Sequence, residues 1–341
     1  MNNSIKLNLI TVIKFSLSIG ILWYLFSTAQ KDDQFEKLLS QPKHWMWVGI
    51  GFLSCILANL ISFLRWRVMV RALGLPFTYL DAIRIGFIGS FFGLFAFGII
   101  GSDTLRAFYV TRQTKDRRPE AICSVVADRT IGLITVFSFA SLAFLSLDFE
   151  DIATTHPRKL QTLNYACRVV FGVTAMCLAA VMSVTLAPRL ARPQSFEWLL
   201  RLPRIGILIA KLSDVVLIYR SQPKAVLLAF AMSVGVNLCF VISIYSLSTG
   251  LTNSAPSFRQ HFLIEPISMV ANAAPLPGGL GGMELALKFL YEAFSTETGV
   301  FVGFAFRFSL LCVSALGAIF WFLNWQRVND AHPIEDHDSL A

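Results

Sequence analysis

The sequence predicts an all-α polytopic membrane protein, on three observations. Apolar runs close to the ~20 residues that cross a bilayer recur along its length. Of 341 residues, 55% are hydrophobic and 15% charged, whereas a soluble domain carries about 25% charge. Basic residues gather between the apolar runs, so the formal net charge of +8 reads as positive-inside bias rather than as a nucleic-acid surface.

The first span covers about residues 9–26. Lys14 interrupts it, but enough apolar chain remains for an uncleaved spanning helix rather than a signal peptide. A second span, about 45–64, opens with Trp45 and Trp47 as interfacial anchors and leads into a basic cluster of Arg65, Arg67 and Arg71. The next apolar stretch, 83–100, is spotted with glycine and ends in a second basic cluster, Arg106 to Arg118. A full crossing would put these two clusters on opposite faces. A re-entrant hairpin keeps both on one face and is the expected arrangement. Spans follow at about 121–147 and 169–186, and then a basic linker whose apolar residues, among them Phe196, Trp198 and Leu199, predict an amphipathic helix on the membrane surface.

A fifth span runs over about 225–248. Residues 262–284 then form a second broken stretch, which closes on Pro275, Pro277, Gly278, Gly279, Gly281, Gly282 and Glu284. Proline removes a backbone donor and repeated glycine weakens a helix, so no regular membrane helix passes through this segment. Broken backbone at membrane depth is tolerated where it is buried in protein or lines a polar cavity. The last span, about 300–325, precedes a polar tail at 328–341 expected to be disordered. The expected organisation is one transmembrane domain over 1–327, with six full spans, two re-entrant segments and both termini cytoplasmic.

Its halves, about 1–160 and 161–327, each read span, span, broken segment, span. Three crossings per half would make them an inverted repeat, a recurrent transporter architecture. Gly98-Ile99-Ile100-Gly101-Ser102-Asp103 and Gly279-Leu280-Gly281-Gly282-Met283-Glu284 share the pattern G-x-x-G-x-acid, and the span after each contains an arginine, Arg129 or Arg307. Charge inside a span is costly unless it meets a partner or water. Arg129 stands next to Asp128, but neighbouring side chains on a helix point apart, so Asp103 and Glu284 are the expected partners.

Several readings of these residues stand side by side. Asp103 and Glu284 suit helix capping as well as a site. Arg129 and Arg307 suit structural ion pairs or recognition of a lipid phosphate by guanidinium. Arg106 suits a positive-inside anchor or a headgroup contact. Together Asp103, Arg106, Asp128, Arg129, Glu284 and Arg307 form the candidate headgroup cavity, with Gly98, Gly101, Pro277, Gly278, Gly279, Gly281 and Gly282 allowing close backbone approach. Glu265 and Lys14 are expected at helix ends or snorkelling. Six scattered cysteines and five histidines show no metal-ligand spacing, so neither metal nor cofactor is expected. No P-loop, HExxH or GxSxG signature is present, and no enzymatic activity is expected.

Arg65-Trp66, Gly101-Ser102-Asp103-Thr104-Leu105-Arg106, Asp128-Arg129-Thr130-Ile131-Gly132-Leu133 and Pro277 to Gly282 with Glu284 resemble the lysylphosphatidylglycerol synthase transmembrane-region family, also called flippase-like integral membrane proteins. The family usually has a proline and Gly-Gly-Asp in the first motif, where this chain has Phe97 and Gly101-Ser102-Asp103, and often Glu-Arg in place of Asp128-Arg129. The resemblance implies a flippase-like lipid transporter of a bacterial inner (cytoplasmic) membrane, moving an anionic phospholipid or a polyprenyl-phosphate or glycolipid headgroup. The alternative is a non-transporting partner that presents lipid to a separate enzyme. Candidate partners are membrane lipid, a glycosyltransferase or lipid-synthesis enzyme, and a second copy of the chain.

Overall fold

The computed structural model describes residues 41–95, 99–113, 117–146, 157–186, 218–272, 280–294 and 296–323, with nine scattered positions between 16 and 40. Nine helices and no strand occur among these residues: α1 (Trp45–Ala72), α2 (Tyr79–Phe95), α3 (Ile99–Gln113), α4 (Arg118–Ser146), α5 (Pro157–Leu186), α6 (Pro223–Leu251), α7 (Phe258–Asn272), α8 (Gly282–Ala293) and α9 (Gly299–Leu323). Five contain stretches long and apolar enough to cross a membrane, on α1, α4, α5, α6 and α9. Most of the first expected span, the amphipathic linker, Pro275–Gly279 and the tail lie outside the described residues.

Polarity is arranged for lipid. Large apolar side chains such as Leu53, Leu142, Leu145, Phe308 and Phe322 face outward, while Ser124, Ser233, Asn237, Ser243 and Ser309 are buried between helices. Without a hydrophobic drive between helices in lipid, association depends on close packing and interhelical hydrogen bonds, which small residues permit. α1 and α6 form the central antiparallel pair on this basis. The Ser243 hydroxyl donates to the Gly51 carbonyl at 2.7 Å, and the His44 N–H donates to the Gly250 carbonyl at 3.0 Å.

Two expected boundaries are corrected. The second span does not end at Leu64: α1 continues to Ala72, because Trp66, Met69 and Val70 bury completely against Phe77 and Ala82 and carry the helix onward. Arg65 and Arg67 are therefore helical residues rather than members of a loop. α5 likewise starts at Pro157, twelve residues before the expected 169; proline at a first helical position has its missing donor where no partner is needed.

Both broken segments fold as antiparallel helical hairpins. Gly89 on α2 lies against Ser102 and Arg106 on α3, where an added Cβ would approach within 3.1–3.3 Å. On the other hairpin, His261 near the start of α7 hydrogen-bonds through Nε2 to the Tyr291 hydroxyl near the end of α8, at 2.9 Å. Exchanging α1 with α6, α2 with α7, α3 with α8 and α4 with α9 maps the contacts among these eight helices onto one another, with α5 outside the exchange. The α2–α9 contact maps onto α7–α4, α3–α4 onto α8–α9, α1–α2 onto α6–α7, α1–α4 onto α6–α9, and α1–α9 onto α6–α4.

A test of the central pair follows from Gly51, where a Cβ would stand 2.8 Å from Leu247 Cγ and 3.0 Å from the Ser243 carbonyl. Gly51→Val is expected to cost about 1–3 kcal/mol through overpacking. It should appear as a lowered unfolding midpoint in detergent titration, whereas Gly49→Val, which meets nothing within 4 Å, should leave the midpoint in place.

Candidate functional site

Three arginine–carboxylate pairs lie inside the helix bundle, each joining different elements. On α4, Arg129 reaches Asp103 of α3 with Nε at 2.7 and 2.9 Å from the two carboxylate oxygens and Nη2 at 2.6 Å. On α9, Arg307 reaches Glu284 of α8 with Nε at 2.6 Å from Oε1 and Nη2 at 3.2 Å from Oε2, and Nη2 also donates to Asn272 Oδ1 on α7 at 3.0 Å. The third pair joins α1 to α4: Arg65 Nε and Nη2 meet Asp128 at 2.8 and 3.0 Å, while Nη1 donates to Ser233 of α6 at 2.8 Å.

Burial separates them. The side chains of Arg65 and Asp128 are 5% and 2% exposed and those of Arg307 and Glu284 are 8% and 0%, against 32% and 20% for Arg129 and Asp103. Two pairs are therefore sealed in protein, and one opens partly outward.

Glycines make room for these contacts. Gly132, one turn past Asp128, lies beneath the Arg65 guanidinium, and a Cβ there would sit 3.2 Å from Nη1. Gly303, one turn before Arg307, faces the Glu284 backbone at 3.3 Å on the same measure. Gly281 adopts φ +93°, a left-handed conformation that disfavours other side chains, and its N–H donates to Glu284 Oε2 at 3.0 Å. Glu284 thus caps α8 and holds Arg307 at once, so the capping and pairing readings both describe it. Asp103 stands beyond the first turn of α3 and is engaged by Arg129.

Asp128 points away from Arg129, as adjacent positions on a helix do, and its partner is Arg65. Arg106 is 4% exposed, and none of its nitrogens hydrogen-bonds to a described residue; its guanidinium stacks over the rings of Phe63 and Trp66 at 5.2 and 5.7 Å. It lies within electrostatic reach of Arg65, Asp103, Asp128 and Arg129. The structure therefore brings Asp103, Arg106, Asp128 and Arg129 into one charged cluster with Arg65, and sets Glu284 and Arg307 in a second with Asn272. Gly101 lies in the first turn of α3, and Gly282 opens α8. Gly98, Pro277, Gly278 and Gly279 lie outside the described residues.

Sequence reasoning missed four participants. Arg65 looked like a loop cation, and the apolar positions that continue after it were the available signal. Ser233 and Asn272 are polar residues in apolar runs, visible in the sequence but without a marked partner. Glu265 is neither at a helix end nor snorkelling: it sits mid-way along α7, 0% exposed, and both carboxyl oxygens lack a hydrogen-bond partner. Tertiary packing of α7 against α8, α4 and α6 encloses it.

Truncating one member of a buried pair strands the other, at about 3–5 kcal/mol. Arg65→Met alone should therefore lower the unfolding midpoint strongly, and Asp128→Leu added to it should recover most of the loss. A double-mutant cycle in detergent measures this coupling. Arg129→Met, at the partly exposed pair, should cost less.

Searches of curated proteins and of solved structures returned no match. The family described as Lysylphosphatidylglycerol synthase TM region matches residues 11–317, which takes in every helix above except the last residues of α9. With five membrane-crossing candidates and charged clusters held between helices, the chain is an integral membrane protein that belongs to the lysylphosphatidylglycerol synthase transmembrane-region family, a family of lipid handling.

Proposed function

We propose that the chain is a flippase-like transporter that passes an anionic lipid headgroup through the region between its two helical hairpins. The observation that carries this reading is the charge of the first cluster. Arg65 and Asp128 neutralise each other, as do Arg129 and Asp103, and Arg106 remains as a third, buried guanidinium with no carboxylate of its own among the described residues. An uncompensated cation in a low-dielectric interior is costly, so the site favours an incoming anion. A phosphate suits it, since guanidinium donors match phosphate oxygens.

The two halves differ at this point. Three residues after the motif acid, the first half has Arg106 and the second has Leu287, which is buried and apolar. The excess charge therefore belongs to one cluster. Arg129, the more exposed of the paired arginines, is suited to exchanging Asp103 for a ligand phosphate, while the sealed Arg307–Glu284 pair anchors the second hairpin to α9. We read the hairpins as re-entrant and the halves as an inverted repeat. The matching contact pattern supports this, and transporters of that architecture place their sites at broken helices near the midplane. The inner membrane, with both termini cytoplasmic, is the location this reading assigns.

Reconstituted vesicles containing fluorescent phosphatidylglycerol supply the test, read as the fraction of label reached by an outside quencher over time. The wild-type chain should speed label exchange between leaflets. Arg106→Gln should slow it about tenfold, the consequence of losing roughly 1.4 kcal/mol or more of charged hydrogen bonding. Arg129→Ala should slow it comparably. Rates unchanged by both substitutions would sink the headgroup role.

A further inference from the structure

The exchange of halves pairs the α2–α9 contact with the α7–α4 contact, yet the two are packed differently. At α2–α9 the helices close tightly. Gly317 lies directly on the Phe87 carbonyl, Phe87 stacks on Phe320 with centroids 5.4 Å apart, and Trp321 packs edge-on to Phe92 at 5.6 Å. At α4–α7 the helices meet through Phe139 stacked on Phe262 at 6.0 Å, and beside that pair lies a cavity of about 530 Å³. Among the described residues it is lined by Phe139, Leu142, Ala143, Ser146, Arg259 and Phe262.

Counting from the arginine of each half accounts for the difference. Ten residues past Arg307 is Gly317, and ten past Arg129 is Phe139. Thirteen and fourteen residues past Arg307 are Phe320 and Trp321, the rings that fill the first contact; the same steps past Arg129 give Leu142 and Ala143. A glycine lets α9 approach α2 and two large rings seal the remainder. On α4 the large ring holds the helices apart, and a small side chain leaves space behind it. The cavity thus follows from side-chain size at matched positions, and its volume falls within the roughly 300–1,000 Å³ typical of ligand pockets.

Its chemistry is amphipathic. Two aromatic rings and Leu142, which is 63% exposed, offer an apolar wall. Arg259, exposed in the first turn of α7, makes no hydrogen bond or ion pair with a described residue, and no carboxylate stands among the lining residues. A guanidinium beside an apolar trough, with no counter-charge among the described residues, matches a lipid of net negative charge: phosphate on the cation, acyl chain along the rings.

We propose that the α4–α7 groove is a lateral docking site for an anionic phospholipid, with Arg259 holding the phosphate and Phe139, Leu142 and Phe262 holding the upper acyl chain. As the place where lipid enters, it rests on the transporter reading; as a binding site, it is measured without any transport. The full chain in phosphatidylcholine vesicles doped with phosphatidylglycerol bearing a photoreactive acyl chain should, after illumination and peptide mass spectrometry, carry adducts on residues 139–146 and 259–262. Arg259→Gln, a change at an exposed side chain, should lower these adducts about tenfold, and Arg259→Lys should retain most of them. Ala143→Trp, which gives α4 the ring α9 has at the matched position, should remove them. The proposal is overturned if adducts are absent there, if Arg259→Gln labels like the wild type, or if photoreactive phosphatidylcholine labels the groove as strongly as phosphatidylglycerol. A chain that moves no lipid but shows Arg259-dependent adducts would refute the transporter reading and leave the docking site standing.

Discussion

Pairing of buried arginine with carboxylate is the constraint on which the rest of this bundle depends. Sealed between helices, an isolated charge has neither water nor counter-ion, so Arg65 and Arg307 require an acid within hydrogen-bond reach, and the partly exposed Arg129 has one as well. Each acid is supplied by a different element, and satisfying the pairs fixes where α3 meets α4, α8 meets α9, and α1 meets α4. Such pairs add little net stability over an apolar core, because the cost of stripping water from both charges offsets most of their attraction. Their effect is on specificity: a helix that slid by one turn would strand a charge. The Arg65 bridge to both Asp128 and Ser233 extends this control across the halves, since α1 and α4 belong to the first half and α6 to the second.

Glycine supplies the complementary half of the constraint. Guanidinium groups are large, and a guanidinium–carboxylate pair is buried between close helices only with a gap in the side-chain layer. Gly132 and Gly303 provide that gap on α4 and α9, each one turn from one member of a pair and facing the other member across the helix contact. Elsewhere the same device serves packing alone, as where Gly299 lies on the Leu287 carbonyl and Gly86 beneath the Phe63 ring. Glycine-spotted segments in this chain are therefore close-packed surfaces with two purposes, and the residue on the facing helix shows which purpose applies.

Much of this was legible in the sequence, and what was not has identifiable causes. Five of the expected spans, the two broken segments and the pairing of each motif acid with an arginine on the next span could all be read, because they rest on composition, on proline and glycine, and on the cost of an unpaired charge. The end of the second span was misread because an arginine normally marks the membrane edge, and here Arg65 is drawn inside by a partner 63 residues away. Glu265 was misplaced for the converse reason. A lone carboxylate in an apolar stretch is expected at a helix end or snorkelling, whereas α7 continues through Pro266 and packs on three other helices. Long-range partners decide both cases, and no local pattern encodes them.

The two halves share a pattern of helix contacts but not a chemistry. Among the described residues, Arg106 gives the first cluster a positive excess where Leu287 leaves the second neutral, so the field between the hairpins is asymmetric. Gly317 and Trp321 close one of the two matched helix contacts, while Phe139 and Ala143 hold the other open beside Arg259, which has no ion-pair partner among the described residues. Asymmetry in charge and asymmetry in packing arise from different residues on different helices. Under the proposed transport reading, a symmetric field would hold an anion equally in both halves, so the first difference would set where a headgroup rests and the second the contact through which it arrives.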